Sequence, residues 1–145
     1  METLLDDLLQ YKNNSVINRY KVDYKNNVLS PEEAFSELLK YLWLTQKHKF
    51  DKEKLPSNID LEFICAVHKE MAEIDDMWHT FLLFTKDYMS FCEHFFGCYI
   101  HHIPTTESDA PITKEEFEAT FTRYLSYIYD NLGEQTVIRW FNSNN

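Results

Sequence analysis

The sequence predicts an all-α fold, a single-domain compact helical bundle of about five or six helices over residues 1–145. Apolar residues recur at gaps of three and four along most of the chain, which is the period of helices that bury one face. Two segments have the residue pattern of a helix capping box, at Ser30 to Glu33 and at Thr113 to Glu116. With 44% hydrophobic and 16% aromatic residues, a chain of 145 residues can bury one core.

The first two predicted helices are short. Leucines at positions 4, 5, 8 and 9 predict a helix over residues 3–11, with Thr3 as its N-cap residue. Two asparagines then interrupt the apolar pattern. A second helix is predicted to begin after Ser15 as its N-cap residue and to continue to Tyr24.

The third helix has the clearest start. Ser30 is the predicted N-cap residue and Pro31 occupies the first helical position, where its missing N–H costs nothing. The apolar stripe that follows consists of Phe35, Leu38, Leu39, Leu42 and Trp43. Residues 45–58 are polar and rich in lysine, so they are predicted to form a loop with His48 on its surface.

The pattern from Ile59 onward predicts a helix that enters the central segment either directly or after a kink near Glu73. A continuous helix would place His68 on the same stripe as the acidic and histidine residues that follow it. A second helical pattern then ends at Gly97. Residues 98–103 form a short tail in which strand-like alternation is weakly present.

The last third of the chain is predicted to begin with a loop over residues 104–112. A long helix follows from Thr113, with Phe117 among its inward-facing residues, and Gly133 ends it. The segment after Gly133 is predicted to dock as a final helical turn or as an extended cover. Residues 142–145 are predicted to be a frayed tail.

The formal net charge of -10 argues against nucleic acid or an anionic membrane as a partner, because like charges repel at long range. No apolar run approaches the roughly 20 residues of a membrane span, and the first ten residues carry acids where a signal peptide carries positive charge. We therefore expect a cytoplasmic protein without membrane insertion, although secretion by an uncleaved signal stays compatible with the sequence. The three cysteines lack paired spacing, which indicates free thiols rather than a disulfide framework.

The segment from Glu73 to Pro104 contains four of the six histidines and is the candidate site. Asp75 and His79 are four positions apart, so on a helix they share one face. A tail that folds back would bring His102 to them, with His101 as the alternative tail ligand and Cys92 as a fourth ligand. One carboxylate and two imidazoles suit zinc or iron and leave positions open for water or substrate.

Two other interpretations stay open at this stage. In the first, Asp75, His79 and His102 form a buried polar clasp, and the protein is a non-enzymatic interaction module whose acidic surface and exposed aromatic residues, including Trp140, bind a protein partner. In the second, the same residues form an active site without metal. The sequence does not decide whether the protein is an enzyme, and it predicts no oligomeric state.

The central motif resembles a known family. The string D-x-x-W-H-x-F-x-L-F-T-x-x-Y-x-x-F-C, followed by F-G-x-x-I-H-H-x-P, is similar to that of the small bacterial glycine-rich domain-containing protein-like family. A weaker similarity extends back to about Val16. The resemblance implies a helical domain and no particular reaction. This chain has only Gly97 and Gly133, so it contains no glycine-rich domain.

Overall fold

The computed structural model describes residues 3–103 and 112–142, and every regular element within these ranges is helical. The seven α-helices are α1 (Leu5–Leu8), α2 (Asn14–Asp23), α3 (Pro31–Lys54), α4 (Ala72–Leu83), α5 (Thr85–Phe96), α6 (Lys114–Leu132) and α7 (Glu134–Phe141). The predicted all-α fold is confirmed. The helices number seven in these ranges, rather than five or six, because the segment after Gly133 forms a complete helix of its own.

Both predicted capping boxes mark real helix starts. The Ser30 hydroxyl accepts a hydrogen bond from the backbone N–H of Glu33 at 3.1 Å, and the Glu33 carboxylate accepts from the Ser30 N–H at 2.9 Å. This reciprocal pair satisfies donors that a helix start otherwise leaves free. The Thr113 hydroxyl likewise accepts from the backbone N–H of Glu116 at 3.0 Å and begins α6.

The predicted caps of the first two helices were wrong. The N-cap residue of α1 is Leu4, and the Thr3 hydroxyl instead donates to the carbonyl of Phe95. The N-cap residue of α2 is Asn13 rather than Ser15, since its side-chain oxygen accepts from the backbone N–H of Val16 at 3.2 Å. Asparagine and serine both cap well, so their order along the chain could not separate them.

The predicted loop over residues 45–58 was also wrong, because α3 continues to Lys54 and only 55–58 are non-helical. His48 is 7% exposed, its Nε2 atom lies 2.9 Å from the Leu61 carbonyl oxygen, and its ring stacks on Phe63. Asp51 accepts from the Tyr127 hydroxyl at 2.7 Å. Polar residues on the inner face of this helix therefore have partners from neighbouring elements, which the polarity of the segment did not reveal.

Residues 59–71 do not form the predicted helix. Short 3₁₀ turns at Ile59–Leu61 and Lys69–Met71 flank an irregular strap over 62–68. The strap's carbonyls accept hydrogen bonds from side chains of α3 and α6: Tyr41 donates to Cys65 at 2.7 Å and Tyr124 donates to Ala66 at 2.8 Å. These partners replace the backbone bonds of a helix.

The core is built around α3, which contacts α1, α2, α4 and α6. Fully buried apolar side chains come from most of the helices and include Leu8, Val16, Leu38, Leu42, Met77, Phe81, Phe91, Tyr124, Ile128 and Trp140. The expectation that Trp140 is exposed was therefore wrong. Phe117 was predicted to face inward, but it is 47% exposed because it lies in the first turn of α6, ahead of the buried part. None of the helices in the described ranges combines the length and apolarity that a membrane span requires.

Residues 104–111 of the predicted 104–112 loop lie outside the described ranges, as do 143–145 of the predicted frayed tail. Asn142 is the C-cap residue of α7, and its backbone N–H bonds the carbonyl of Ile138. The tail over 98–103 contains no strand. It is the element that brings the candidate site together.

Candidate metal centre

Helix α4 places Asp75 and His79 on one side, one turn apart. Met77, Trp78 and Phe81 face the core, which leaves the two polar residues on the opposite side of the helix. The distance from Asp75 Oδ2 to His79 Nε2 is 3.6 Å. His79 is the more open of the two, with 51% of its side chain exposed against 30% for Asp75.

The third residue reaches the site from the tail after α5. Gly97 ends α5 with φ of 70°, a left-handed conformation that glycine adopts without the steric cost of a Cβ atom. The chain then passes over α4 and α5, and the Ile100 side chain of this tail is buried, with 7% exposed. Two residues later, the His102 imidazole lies above α4, with its Nε2 atom 2.7 Å from Asp75 Oδ1.

The three side chains form one group. Their ligand atoms all lie within 4.8 Å of one another, and the rings of His79 and His102 are 4.6 Å apart at their centroids. The His102 ring also packs against Trp78 at 4.3 Å, which leaves its side chain 18% exposed. The sequence prediction that Asp75, His79 and His102 converge is therefore confirmed as geometry.

One of the distances is close to that between two ligands of a coordinated ion. Donors about 2.0 to 2.1 Å from a tetrahedral zinc ion lie about 3.3 Å from each other. The pair formed by Asp75 and His79, at 3.6 Å, is near this separation, whereas the pair formed by Asp75 and His102, at 2.7 Å, is a hydrogen bond. Since an ionised carboxylate only accepts, Nε2 of His102 carries the proton in this bond.

Further acidic groups surround the three residues. Burial raises the pKa of Asp76, and the negative charges of Asp75 and Glu73 raise it further, against the hydrogen bond from Asn27. The Glu73 carboxylate accepts from the backbone N–H groups of residues 28 and 29, at 2.8 Å each. Burial also raises the pKa of Tyr24, with Asp76 adding to the shift. Negative charge is therefore concentrated here, which favours a cation.

The other two predicted ligands lie elsewhere. His101 is exposed, and its ring packs on Tyr99 at 4.7 Å. Cys92 is fully buried, bonds the Ile100 backbone and the Tyr88 side chain, and burial raises the pKa of its thiol. Neither residue belongs to the group that the described residues form around Asp75.

His68 is also distant from the candidate site. With no helix over 62–68, its ring lies among Phe121, Tyr124 and Phe141 at centroid distances of 5.1 to 5.6 Å. Burial among these rings lowers the pKa of His68. The prediction that His68 and Asp75 lie on one stripe of a continuous helix is therefore wrong.

Sequence reasoning missed how Trp78 and Tyr88 support the site. The Trp78 indole N–H donates to the Tyr88 hydroxyl at 3.0 Å, and that hydroxyl donates to the Ile100 carbonyl at 2.6 Å. Both aromatic residues occur in the central motif, in the W-H and Y-x-x-F-C strings. Their spacing of ten residues gives no periodic signal, since they belong to different helices.

A separate groove of about 720 Å³ lies between α3, α7 and the start of α4. None of the three clustered residues lines it. Its buried carboxylate, Glu37, accepts from Trp140 Nε1 at 2.8 Å, Arg139 Nη1 at 3.0 Å and Lys40 Nζ at 3.1 Å. These charged groups are paired with one another.

Comparison with known proteins gives a family match and no activity. No curated protein and no solved structure matches the chain. The matching family model names no ligand or reaction, and it does not confirm the resemblance to the glycine-rich domain-containing protein-like family. Residues 64–127, less than half of the chain but including α4, α5 and the whole Asp75, His79 and His102 group, match the family model described as UCP032817-like.

Proposed function

We propose that this protein binds a divalent transition metal ion, zinc or ferrous iron, through Asp75, His79 and His102. One observation carries the proposal: three ligand atoms from two separate elements lie within 4.8 Å of one another. One carboxylate and two imidazoles are a donor set that both ions accept. The surrounding acidic side chains add to the attraction for a cation.

Three protein ligands leave coordination positions for water or a substrate atom. His79 is half exposed, so these positions face solvent rather than the core. A zinc ion in such a site can activate water for hydrolysis, and ferrous iron can support oxidation. The proposal is metal binding, and both reactions are compatible with it.

Metal binding must displace the proton that joins His102 to Asp75. In the hydrogen bond of 2.7 Å, the proton is on Nε2. A metal ion takes that position only when the imidazole carries its proton on Nδ1 instead, and the two donor atoms then separate by a few tenths of an ångström. Metal affinity should therefore fall as the pH is lowered, because protons and metal compete for the same nitrogen.

The test is elemental analysis of protein purified without a histidine tag, followed by titration with Zn²⁺ and, under anaerobic conditions, Fe²⁺. We expect close to one ion per chain in wild type and loss of the ion in His79→Ala and His102→Ala. His94→Ala, which changes an exposed histidine of α5, is the matched control and should keep the ion. A wild-type protein that holds no metal and gains no thermal stability from either ion contradicts the proposal.

The hydrogen bond between His102 and Asp75 favours one competing function, the polar clasp of a protein-interaction module. A charge-assisted bond of this length holds the tail on α4 without any metal. Under this alternative, His102→Ala destabilises the protein, His79→Ala has little effect because His79 is exposed, and neither variant changes metal content. The same set of proteins therefore distinguishes the two functions.

A further inference from the structure

Tyr88 connects the core to the tail that carries His102. Its side chain is fully buried between α4 and α5, and its ring packs edge-on against Phe81 at 5.0 Å and Tyr99 at 5.3 Å. Its hydroxyl accepts from Trp78 Nε1 at 3.0 Å and donates to the Ile100 carbonyl at 2.6 Å. One hydroxyl therefore joins a helix residue to the tail.

Both groups that Tyr88 holds are adjacent to His102. Ile100 is two residues before it along the tail, and the Trp78 ring packs against the His102 imidazole at 4.3 Å. The rest of the nearby tail is open, since His101 is exposed and Ile103 is 82% exposed. The Cys92 thiol also bonds the Ile100 backbone, and the His102 imidazole bonds Asp75.

The contact between His102 and Asp75 cannot position His102 for a metal ion, because the ion would replace that hydrogen bond. The direction of the imidazole must then be set by contacts that persist when metal binds. The hydrogen bonds of the Tyr88 hydroxyl meet this requirement, since they involve none of the three ligand side chains. Preorganised ligands bind metal more tightly because less freedom is lost on binding.

We propose that Tyr88 is a positioning residue of the metal centre: its hydroxyl fixes Ile100 and Trp78, and through them sets the place of the His102 imidazole. This inference rests on the proposed metal binding. It adds a residue that has no metal-ligating role and that sets how tightly the ion is held.

The test compares Tyr88→Phe with Tyr124→Phe in the full-length chain. Tyr124 is a matched control, because its ring is 1% exposed and its hydroxyl donates to the Ala66 carbonyl at 2.8 Å, in the strap rather than at the site. Zn²⁺ affinity is measured by competition with a chelator, and Co²⁺ absorption reports the coordination geometry. Urea titrations identify a temperature at which both variants are folded.

We expect Tyr88→Phe to weaken Zn²⁺ binding by about 10- to 100-fold, as is usual when a residue supporting a metal ligand is lost. Its Co²⁺ spectrum should also change, whereas Tyr124→Phe should keep both the affinity and the spectrum of wild type. Equal affinities in the two variants overturn the inference. Wild type that takes up Zn²⁺ and loses it in His79→Ala then leaves the proposed function standing, and wild type that takes up no Zn²⁺ overturns both.

Hydrogen exchange of the wild-type protein gives an independent measurement, which does not depend on the variant folding. Coupling between two sites is reciprocal, so an ion that needs the tail in place must also hold it there. Zn²⁺ should slow amide exchange over residues 98–103 and leave α7 unchanged. Unchanged exchange in the tail at saturating Zn²⁺ overturns the inference.

Discussion

His102 Nε2 lies 2.7 Å from Asp75 Oδ1, and this bond joins two positions 27 residues apart. It makes the tail after α5 part of the α4 surface. His79 Nε2 lies 3.6 Å from the other oxygen of the same carboxylate, so Asp75 is shared by both imidazoles. The two histidines nevertheless differ in burial and in contacts, and this difference predicts different mutant behaviour.

The first prediction separates metal binding from stability at the two histidines. His79→Ala should abolish stoichiometric Zn²⁺ binding and change the free energy of unfolding by less than about 0.5 kcal/mol, because the side chain is half exposed. His102→Ala should abolish binding and also cost about 1 to 2 kcal/mol, because it removes a hydrogen bond and ring packing. Urea unfolding in the presence of a chelator gives the free energies, and elemental analysis gives the metal content.

The second prediction concerns the acidic surroundings of the site. Burial and the charges of Asp75 and Glu73 raise the pKa of Asp76, so ionising its carboxyl costs more free energy in the folded protein than in the unfolded chain. Asp76→Asn should leave the metal-free protein as stable as wild type or slightly more stable, and should weaken Zn²⁺ binding by about 3- to 10-fold through lost attraction. Titration at low and high salt is the measurement, and the difference between variant and wild type should shrink at high salt.

A matched control for Asp76→Asn is Asp87→Asn, which removes one negative charge from the exposed surface of α5. This control should leave Zn²⁺ affinity within about twofold of wild type, because Asp87 is exposed to screening by salt and bonds Asn13 rather than a residue of the site. Equal weakening by both variants would show that net charge, rather than local charge, sets the affinity.

The third prediction is the pH dependence of stability. Burial lowers the pKa of His48 from its ordinary value of 6.5, and the hydrogen bond to Leu61 only partly opposes this shift. The unfolded chain therefore binds more protons at mildly acidic pH, and stability should fall as the pH drops below about 6.5. In His48→Gln, which keeps a donor, the slope of unfolding free energy between pH 5 and 6.5 should decrease by up to about 1 kcal/mol per pH unit.

Urea titrations across this pH range, with a chelator present, give the slope. His94→Gln, on the exposed surface of α5, is the control and should keep the wild-type slope. Burial also lowers the pKa of His68. The double variant with His48→Gln and His68→Gln should therefore show a still smaller slope of unfolding free energy against pH. Identical slopes in wild type and His48→Gln would contradict the assignment of a neutral buried imidazole.

The fourth prediction concerns the docking of α7. Glu37 is 1% exposed and accepts hydrogen bonds from Lys40, Arg139 and Trp140. Glu37→Gln keeps the shape but leaves two cations without their shared counter-charge, so we expect a loss of about 1 to 3 kcal/mol in urea unfolding. Zn²⁺ affinity should not change, because the three ligands share no contact with this network.

Glu32→Gln is the control for that variant, because Glu32 is exposed in the first turn of α3. It should change stability by no more than about 0.5 kcal/mol. A loss of Zn²⁺ affinity in Glu37→Gln would instead indicate coupling between α7 and α4.

Local signals in the sequence predicted much of the fold. The capping boxes at Ser30 and Thr113 and the stop at Gly97 depend on neighbouring residues only, so the sequence was sufficient. The apolar residues of the strap over 62–68 also recur at helical spacing, but the strap is not helical. Tyr41 and Tyr124, from distant parts of the chain, donate hydrogen bonds to its carbonyls instead. Such partners are visible only after folding, and the same holds for His48 and its contact with Leu61.

The candidate site was partly predictable for a similar reason. Asp75 and His79 are one helical turn apart, and the helix alone brings them together. His102 was assigned by its position on a short tail that could fold back, and the structure places it there. The supporting hydroxyl of Tyr88 depends on how α4, α5 and the tail pack, so no spacing in the sequence predicts it.

The bond between His102 and Asp75 also encloses α5, whose residues Thr85–Phe96 lie entirely between the two partners. While it is formed, a link across such a loop acts as a staple, because it restricts the conformations open to the enclosed segment. Opening it removes one tie between the tail after α5 and α4, while Phe84 still joins α5 directly to α4. An ion that closes this staple should therefore prolong the lifetime of the folded chain.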